Sequence, residues 1–362
     1  MSRSNIENVE RILKENAKLI DAHIEKYVPR KFTEDSILFK IIPPKYRLDL
    51  DALNKAISEP LWEFLDRGGK RWRPTLFLLI YEALGGDPEK ALDFAIIPEV
   101  IHNGTLIADD IEDSSEMRRG KPCTYRIFGE DIAINLSQAM YFLPLIVLSE
   151  KAAEIPVDRA RRIYEIYVQE MINLSFGQAI DIAWHRGLIQ AEKLTEEHYL
   201  QMCAYKTGTL ARMAAKMAAV LAGAENEVVE KLGRFAESIG VAFQIQDDVL
   251  DIVGEEFAKG KGSLGMDITE GKLTLMVIHT LQKASREDRE ELLRILGMHT
   301  RDKDLKGKAI EIMKKYGAVE YARKVASKLI EESWSIVDEL LPDSEAKEKI
   351  RLLTEYLIRR KI

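Results

Sequence analysis

Apolar residues recur along most of the chain at alternating steps of three and four, the spacing that places side chains on one face of an α-helix. The clearest series consists of Leu200, Ala204, Thr207, Ala211, Ala214 and Ala218. A second series runs from Val325 to Leu340 and ends before Pro342, which cannot continue a helix. Runs of β-branched residues with period two are missing. The pattern therefore predicts an all-α fold without a sheet.

Glycine and proline mark where the helices end. The clear breaks are residues 85–88 (GGDP) and 260–263 (GKGS), and neither is long enough to link two domains. The stretch from Arg30 to Asp51 has adjacent prolines and is expected to connect early helices irregularly. No internal repeat stands out. We therefore expect residues 1–362 to form a single helical domain, a bundle of about ten or more helices.

Two short acidic motifs interrupt the apolar pattern. Both have the form D-D-x-x-D, one at residues 109–113 and the other at residues 247–251. On a helix, the first and last aspartates of each motif lie one turn apart on one face, where like charges repel. Each motif follows an apolar run, so carboxylates are expected at the ends of otherwise buried helices. Their burial is unfavourable unless a cation compensates the charge.

Mg²⁺ is the cation that this pattern favours, because it prefers oxygen ligands and usually shares its coordination sphere with phosphate. A solvated acidic face is the alternative explanation, and it is weaker for two such motifs than for one. An EF-hand is excluded because neither stretch has the spacing of a calcium-binding loop.

Basic residues accompany the acidic motifs. Arg118 and Arg119 follow the first motif closely, and residues 68–74 read GGKRWRP. The glycines of that stretch allow a tight turn, and its proline suits the first turn of a helix. Lys70 and Arg73 then flank a helix N-terminus, where free N–H groups favour anions. Alone, such a stretch is more often a capped helix; beside two acidic motifs it indicates a second diphosphate site that needs no metal.

Two further polar clusters lie within apolar helical stretches. Lys206 and Thr207 interrupt the small-residue face described above. A lysine in such a position usually extends to solvent, but it could also contact a diphosphate. Gln244 precedes the second acidic motif by about one turn and lies near the same helix face.

Composition limits the class of protein. The chain has 53 Lys and Arg against 60 Asp and Glu, a net charge of −7, which is a poor match to nucleic-acid binding. Cys123 and Cys203 are too few for a disulfide framework or a zinc cluster. The N-terminus lacks an apolar signal segment, and the longest apolar stretch is about half a membrane span. We expect a cytoplasmic protein without a transmembrane segment or a nucleic-acid partner.

The chain resembles the trans-prenyltransferases, the family of farnesyl and geranylgeranyl diphosphate synthases, in five motifs that occur in family order: GGKRWRP, LIADDIEDSSEMRRGKPC, YKTG, FQIQDDVLD and LGMDITEGK. Each motif alone is moderately specific, and the ordered set is very specific. The resemblance implies an isoprenoid-synthase-type helical bundle around a deep central cavity, usually as a homodimer. The implied activity is the head-to-tail condensation of isopentenyl diphosphate with an allylic diphosphate.

The resemblance also implies roles for single residues. Two or three Mg²⁺ ions are expected at the aspartates of the two motifs, which are Asp109, Asp110, Asp113, Asp247, Asp248 and Asp251. Arg118 resembles the arginine that grips the allylic diphosphate. The implied pocket for isopentenyl diphosphate contains Lys70, Arg73, His102 and Arg119. The groups implied beside the breaking C–O bond are Lys206, Thr207 and Gln244.

Two more lysines belong to the implied site. Lys272 lies in a D-x-x-E-G-K stretch that faces diphosphate in the family. A further family lysine is displaced here, because Gly262 and Ser263 stand at its usual positions, and Lys261 is the candidate to replace it. No nucleophilic side chain is needed, since metal ions let the allylic bond ionise in a dry cavity and the second substrate attacks the cation.

Product length in this family depends on side chains just before the first acidic motif. Farnesyl synthases carry bulky aromatic residues at positions where this chain has Gly104 and Thr105. Ile101, one turn earlier, and Tyr141 or Phe142 on the following helix are candidate lower limits of the cavity. The resemblance favours geranylgeranyl diphosphate as the product and leaves farnesyl diphosphate and products of C25 or longer open.

Two other functions match the sequence less well. A non-catalytic subunit of a heteromeric prenyltransferase is expected to lack residues of the acidic motifs, and both motifs are complete here. A terpene cyclase also binds metal through aspartates on helices, but the basic stretch at residues 68–74 and the second complete motif argue against it.

Overall fold

The computed structural model describes residues 3–254 and 264–359 and is built mainly of helices. The first are α1 (Arg3–Tyr27), α2 (Ile37–Ile41), α3 (Leu50–Leu53), α4 (Glu59–Leu65), α5 (Trp72–Ala83), α6 (Pro88–Glu112), α7 (Thr124–Phe128), α8 (Glu130–Phe142) and α9 (Leu145–Lys151). They are followed by α10 (Val157–His185), α11 (Glu196–Cys203), α12 (Thr209–Ala222), α13 (Asn226–Val253), α14 (Met266–Glu270), α15 (Leu275–Lys283), α16 (Arg286–Gly297), α17 (Lys303–Lys315), α18 (Ala318–Asp338) and α19 (Glu345–Arg359). The predicted all-α class is confirmed.

The described residues pack as two compact units. Unit one comprises residues 1–168, 213–233 and 339–353, and unit two comprises residues 169–212, 234–338 and 354–362, each as far as it is described. A single domain over residues 1–362 stays a prediction. The predicted break at residues 260–263 lies outside the described residues.

Helix α6 is central to unit one and packs against α1, α5 and α8. It begins as the sequence predicts: α5 ends at Ala83, the Asp87 side chain accepts a hydrogen bond from the backbone N–H of Glu89, and Pro88 takes the first helical position. Its apolar residues between Ala91 and Ile101 are largely buried. This burial holds the C-terminal end of α6, with the first acidic motif, in a fixed place within unit one.

Two helical stretches within the described residues are long and apolar enough to cross a membrane by length and composition alone: Pro88–Glu112 and Glu130–Lys151. The first is α6, and 72% of its most apolar window is buried in the protein. Core helices pass the same test, so packing accounts for the apolar character of α6. The second stretch contains α8 and α9, and 44% of its window is buried. The absence of a transmembrane segment stays a prediction.

In unit two, α15 packs against α11, α17 and α18. A buried polar network lies at the start of α12: Glu170 of α10 accepts hydrogen bonds from Thr209 and Arg212, and Arg212 also pairs with Glu237 of α13. Removing one partner from such a network leaves a buried polar group without its hydrogen bond. The network therefore fixes the first turn of α12 against α10.

The helical series predicted around residues 200–218 is present, but its geometry changes in the middle. Between α11 and α12, residues Ala204–Gly208 form one π-helical turn, which we call the π segment. Glycines bring other helices close to it: a Cβ atom on Gly177 of α10 would lie 2.2 Å from the backbone N of Lys206. A Cβ atom on Gly240 of α13 would lie 2.6 Å from the Cα of Gly208. Such single π turns are frequent at functional sites.

The described residues also contain a short β-hairpin that the sequence pattern did not predict. Strand β1 (Met117–Arg118) pairs antiparallel with β2 (Lys121–Pro122). The two-residue connection is Arg119-Gly120, with φ of +53° and +75°, as the favoured hairpin turn requires. Strands of two residues are too short to show the alternation from which a strand is predicted.

Replacing Gly240 by alanine should destabilise unit two, because the added methyl group would lie 2.6 Å from the Gly208 Cα atom. We expect a loss of about 1–3 kcal/mol in the free energy of unfolding, measured by denaturation followed with circular dichroism. The matched control is Gly307→Ala in α17, where the methyl group would meet nothing within 4 Å and should stabilise by about 0.5–1 kcal/mol. An unchanged unfolding midpoint for Gly240→Ala would contradict the close contact between α13 and the π segment.

Candidate functional site

The first acidic motif lies at the C-terminal end of α6 in unit one, and Asp113 is the C-cap residue of that helix. Asp110 is buried, and its Oδ1 atom lies 2.8 Å from Nε and 2.6 Å from Nη2 of Arg118. Asp109 is more exposed and lies 3.6 Å from Nη2 of the same arginine. The two adjacent carboxylates therefore share one guanidinium.

Burial and charge shift the pKa values of Asp110 and Arg118 in opposite directions. Burial raises the pKa of Asp110, and Arg118 opposes that rise. Burial alone would lower the pKa of Arg118, but the charges of Asp110 and Asp109 outweigh this effect and raise it. Arg118 is therefore a fixed positive charge at the motif, able to orient an anion but not to donate its proton at neutral pH.

The donor set of the first motif suits a metal ion that is shared with a substrate. Within the part of the chain that the structure describes, no group of three or more His, Cys, Asp or Glu side chains is placed to hold a metal ion. Mg²⁺, however, is usually bound by one or two carboxylates together with phosphate oxygens and water. Asp109 and Asp113 lie one helical turn apart and are less buried than Asp110, which binds Arg118 at the shorter distance.

Several cationic side chains act electrostatically on His102 in unit one: Arg73, Arg119 and Arg71, which we call the arginine cluster, and, more weakly, Arg118 of the first motif. Burial lowers the pKa of His102 well below its ordinary value, and the four arginines lower it further. Burial also lowers the pKa of Arg73 to about 10, and burial together with Arg71 lowers that of Arg119 to about 10. So much positive charge in a buried place favours the binding of an anion.

The turn before α5 positions part of this cluster. The tight turn predicted from the glycines is confirmed by a positive φ at Gly68, and Arg71, the residue before α5, has φ of +49°. Arg73 lies in the first turn of α5, is buried, and its guanidinium lies 4.5 Å from the centre of the Trp72 ring. Lys70 is half-buried in the same turn.

Arg119 is held by a chain of buried polar groups that the sequence analysis missed. Its Nη2 atom donates to Oδ1 of Asn103 at 3.1 Å, and Nδ2 of Asn103 donates to the Glu99 side chain at 3.0 Å. Glu99 lies 3.1 Å from Nη1 of Arg71, which also pairs with Asp21 of α1. The sequence does contain a signal for this series of hydrogen-bonded groups, because Glu99 and Asn103 are polar residues one turn apart in an apolar helix.

Unit two contains a cleft that brings several predicted site residues together. Its lining residues are Asp181, Tyr199, Met202, Lys206, Thr207, Gln244, Asp248, Lys272, Leu273 and Thr274. The π segment and α13 supply Lys206, Thr207 and Gln244, the three groups implied beside the breaking bond.

Hydrogen bonds connect four of the cleft residues in a line. The hydroxyl of Tyr199 donates to Oδ2 of Asp248 at 2.7 Å, and Nε2 of Gln244 donates to Oδ1 at 2.8 Å. The Gln244 amide is thereby oriented, and its Oε1 atom accepts the Thr207 hydroxyl at 2.8 Å. Since that bond uses the only hydroxyl proton of Thr207, its oxygen can act only as an acceptor towards the cleft.

The aspartates of the second acidic motif, near the end of α13, have three different environments. Asp248 is buried and accepts the two bonds just described. Asp251 is also buried and accepts hydrogen bonds from the backbone N–H groups of Met266 and Asp267, at 3.2 and 3.1 Å. Asp247 is half-exposed. Protein donors therefore surround two of the three carboxylates, and the third is the more accessible.

The lysines predicted for the site differ in how the structure places them. Nζ of Lys206 lies 2.5 Å from Asp181 of α10, a partner that the sequence analysis missed. Lys272 lines the cleft and lies 2.6 Å from Glu270. Lys261 lies outside the described residues. The sequence signal for Asp181 is weak, since the partner of a single polar residue in a helix can be identified only when the position of the other helix is known.

The residues proposed to determine product length lie in unit one. Gly104 is buried, and a Cβ atom there would lie 2.9 Å from Met140 Cβ and 3.0 Å from the backbone oxygen of Ser137. Its small size therefore allows α8 to pack closely on α6. Thr105 is half-buried, and Ile101 is fully buried.

The two candidates on α8 differ in exposure. Burial raises the pKa of Tyr141 to about 12, and the charges of Glu112 and Asp109 contribute to that rise, so the ring lies near the first motif. Phe142 is 65% exposed and therefore does not line the interior of unit one. Tyr141 is the better candidate for a cavity wall.

Comparison with known proteins identifies the family. Residues 54–313 match the sequence profile of the polyprenyl synthetase family. A short chain isoprenyl diphosphate synthase from Methanothermobacter thermautotrophicus is 38% identical over 298 residues, which cover 81% of this chain and 87% of that relative. A geranylgeranyl diphosphate synthase from Saccharolobus solfataricus is 31% identical over 308 residues, 85% of this chain and 91% of that relative.

A solved structure agrees with this assignment. The crystal structure of geranylgeranyl pyrophosphate synthetase from Pyrococcus horikoshii matches with a TM-score of 0.82 at 34% identity, covering 98% of this chain and 99% of that one. The profile match and the relatives together show that this chain belongs to the polyprenyl synthetase family.

Proposed function

We propose that this protein is a short-chain trans-isoprenyl diphosphate synthase that condenses isopentenyl diphosphate head to tail with an allylic diphosphate. The observation that supports it best is the division between Arg118 and Arg119, which are neighbours in the chain. Arg118 is bound to the carboxylates of the first acidic motif, whereas Arg119 points to Asn103 and shares the arginine cluster with Arg73. One diphosphate can thus be bound beside metal-binding carboxylates and another by cationic side chains alone.

Carboxylates and Arg118 form the allylic side of the proposed site. In unit one, Asp109 and Asp113 would hold Mg²⁺, with Asp110 in support through Arg118; in unit two, Asp247 would hold a further ion, for two or three in all. Asp248 and Asp251 orient the second motif through the hydrogen bonds they accept. When bound, Mg²⁺ supplies positive charge that stabilises a leaving diphosphate. Arg118 orients that diphosphate by charge-assisted hydrogen bonds.

The arginine cluster forms the isopentenyl side. Arg73 and Arg119 bind the diphosphate together with Lys70 and His102, and no metal is needed, because the cluster carries the positive charge itself. Burial makes each of these contacts stronger than it would be in water. The lowered pKa of His102 leaves its ring neutral in the absence of an anion, so it acts as a hydrogen-bonding group.

The cleft of unit two provides the groups that face the reacting carbon atoms. The Thr207 oxygen presents lone pairs that would stabilise a carbocation, because Gln244 fixes the direction of the Thr207 hydroxyl. Lys206, Lys272 and Lys261 bind diphosphate oxygens. Bound substrates must exclude water from this polar cleft, because water would otherwise capture the cation.

We further propose geranylgeranyl diphosphate as the main product, with a homodimer in the cytoplasm as the working form. Support for the product comes from Thr105, a small residue one turn before Asp109, and from the names of the relatives from Saccharolobus solfataricus and Pyrococcus horikoshii. The direct test is incubation of the full chain with labelled isopentenyl diphosphate, Mg²⁺ and allylic primers of increasing length, followed by chain-length analysis. A main C20 product supports the proposal, a C15 or C25 product corrects the chain length, and no condensation by a folded protein overturns the activity.

Removal of one metal-binding carboxylate should reduce turnover by orders of magnitude. Asp109→Ala leaves a single carboxylate on that helix face, so the charge on the leaving diphosphate is poorly compensated. Steady-state rates as a function of Mg²⁺ concentration measure the effect, and circular dichroism checks that the helices remain. Asp131→Ala, at the exposed start of α8, is the control. Equal rates in Asp109→Ala and the wild type would contradict the metal site.

Arg73→Ala should raise the apparent KM for isopentenyl diphosphate and change that for the allylic substrate little. A charge-assisted hydrogen bond contributes roughly 1.5–3 kcal/mol, so the expected rise is about ten- to hundredfold. Arg118→Ala should show the opposite preference, and exposed Arg126→Ala should show no effect. If Arg73→Ala weakens both substrates equally, the two diphosphate sites have been assigned wrongly.

Thr105→Phe should shorten the main product towards C15 without abolishing the first condensation. A phenyl ring at this half-buried position, one turn before Asp109, would meet the growing chain in a wall with little room to relax. Ile101→Ala should lengthen the product if Ile101 closes the cavity, and no effect there would favour Tyr141 as the limit. Chain-length analysis of both variants decides; an unchanged product from Thr105→Phe would show that this face of α6 does not line the cavity.

A further inference from the structure

Asn103 is a fully buried polar residue in the middle of α6. Its Nδ2 atom donates to the backbone oxygen of Glu99 at 2.8 Å and to Oε1 of the same residue at 3.0 Å. Both amide protons are thus used on the Glu99 side, and the orientation of the amide follows. The Oδ1 atom consequently faces Arg119, whose Nη2 atom donates to it at 3.1 Å.

Asn103 lies between two opposite charges, those of Glu99 and Arg119, and hydrogen-bonds to both. Glu99 is 2% exposed, and its Oε1 atom lies 3.1 Å from Nη1 of Arg71. Arg71 is itself 2% exposed and donates to Asp21 and to the backbone oxygen of Leu65. Arg119 therefore donates its hydrogen bond to a neutral amide of this network, not to a carboxylate.

The other half of the Arg119 guanidinium remains available. Its Nη1 atom is buried and has no hydrogen-bond partner among the described residues. The guanidinium lies 5.0 Å from the centre of the Phe64 ring, a contact that restricts its position without neutralising its charge. A buried donor without a partner is costly, so an anion at this place would be favoured.

We propose that Asn103 is a positioning residue: it orients Arg119 through a neutral acceptor and leaves the positive charge of Arg119 uncompensated for the diphosphate of isopentenyl diphosphate. This inference rests on the proposed function. A carboxylate at position 103 would form an ion pair with Arg119 and compete with the substrate. An apolar side chain would leave Arg119 without an oriented partner. Affinity for the homoallylic diphosphate thus depends on a neutral hydrogen-bond acceptor at this one position of α6.

Two variants whose side chains are close to asparagine in size separate the effect of compensating the charge of Arg119 from the effect of losing its orientation. Asn103→Asp and Asn103→Leu should each raise the KM for isopentenyl diphosphate about tenfold, the effect of one lost charge-assisted hydrogen bond. The kcat and the KM for the allylic substrate should change little. Asn103→Thr should restore most of the affinity, because its hydroxyl can donate to the backbone oxygen of Glu99 and accept from Arg119. Equal changes in both KM values, or no change in either, would overturn the proposal.

A matched control tests whether loss of a buried amide is enough to produce the effect. Asn54 in unit one is also buried, and its side chain accepts from the backbone N–H of Phe32 at 2.6 Å and donates to the Phe32 oxygen at 3.2 Å. Asn54→Leu should lower the unfolding temperature while leaving the KM for isopentenyl diphosphate unchanged. A rise in that KM as large as for Asn103→Leu would overturn a specific role for Asn103.

Binding of inorganic diphosphate to the full chain, measured by calorimetry with a metal chelator present, does not depend on turnover. The chelator removes metal-dependent binding at the carboxylates and leaves the arginine cluster. Wild-type protein should bind, Asn103→Asp and Asn103→Leu should bind about tenfold more weakly, and Asn103→Thr should bind nearly as well as the wild type. Equal binding by all four overturns the role of Asn103. The predicted pattern without any condensation activity would support the role of Asn103 in anion binding and refute the proposed function instead.

Discussion

A carboxylate at the end of an apolar helix is unfavourable unless donors or a cation surround it, and this constraint explains the form of both acidic motifs. In the first motif, Asp110 is buried and bound to Arg118, while Asp109 is more exposed. In the second motif, Asp248 is buried among protein donors, and Asp247 is half-exposed. A motif of three aspartates is therefore not a set of three equivalent ligands. Burial divides each motif into carboxylates that protein donors enclose and carboxylates that are more accessible.

Much of the helical framework could be predicted because its signals are local. The start of α6 follows from Asp87 and Pro88, which act within one helical turn. The π segment could not be predicted in the same way. Its geometry depends on Gly177 and Gly240, which approach its backbone from two other helices and are distant in sequence. The hairpin at residues 117–122 could not be predicted for a different reason. Two-residue strands show no periodicity, and the first residue of its turn, Arg119, is not a glycine although its φ is positive.

The candidate site shows the same division between local and non-local information. Polar residues in a recognisable motif, such as Arg118 and Gln244, could be named from the sequence. Their buried partners could not, because a tyrosine or asparagine in an apolar helix is ordinarily part of the core. Tyr199 and Asn103 acquire a role only when α13 and the hairpin place Asp248 and Arg119 against them. Supporting groups of this kind orient the charged residues, so their absence from a motif does not measure their importance.

Small residues before the first motif have two possible physical meanings, and the structure separates them. A small side chain can leave space for a growing product, or it can let two helices approach closely. Gly104 belongs to the second case, since a Cβ atom there would meet Met140 and the backbone of Ser137 on α8. Thr105, by contrast, is half-buried and carries a side chain of its own. We therefore base the proposal of a product longer than farnesyl diphosphate on Thr105 and on the nearby ring of Tyr141. A larger residue at position 104 would first disturb the packing of α6 on α8.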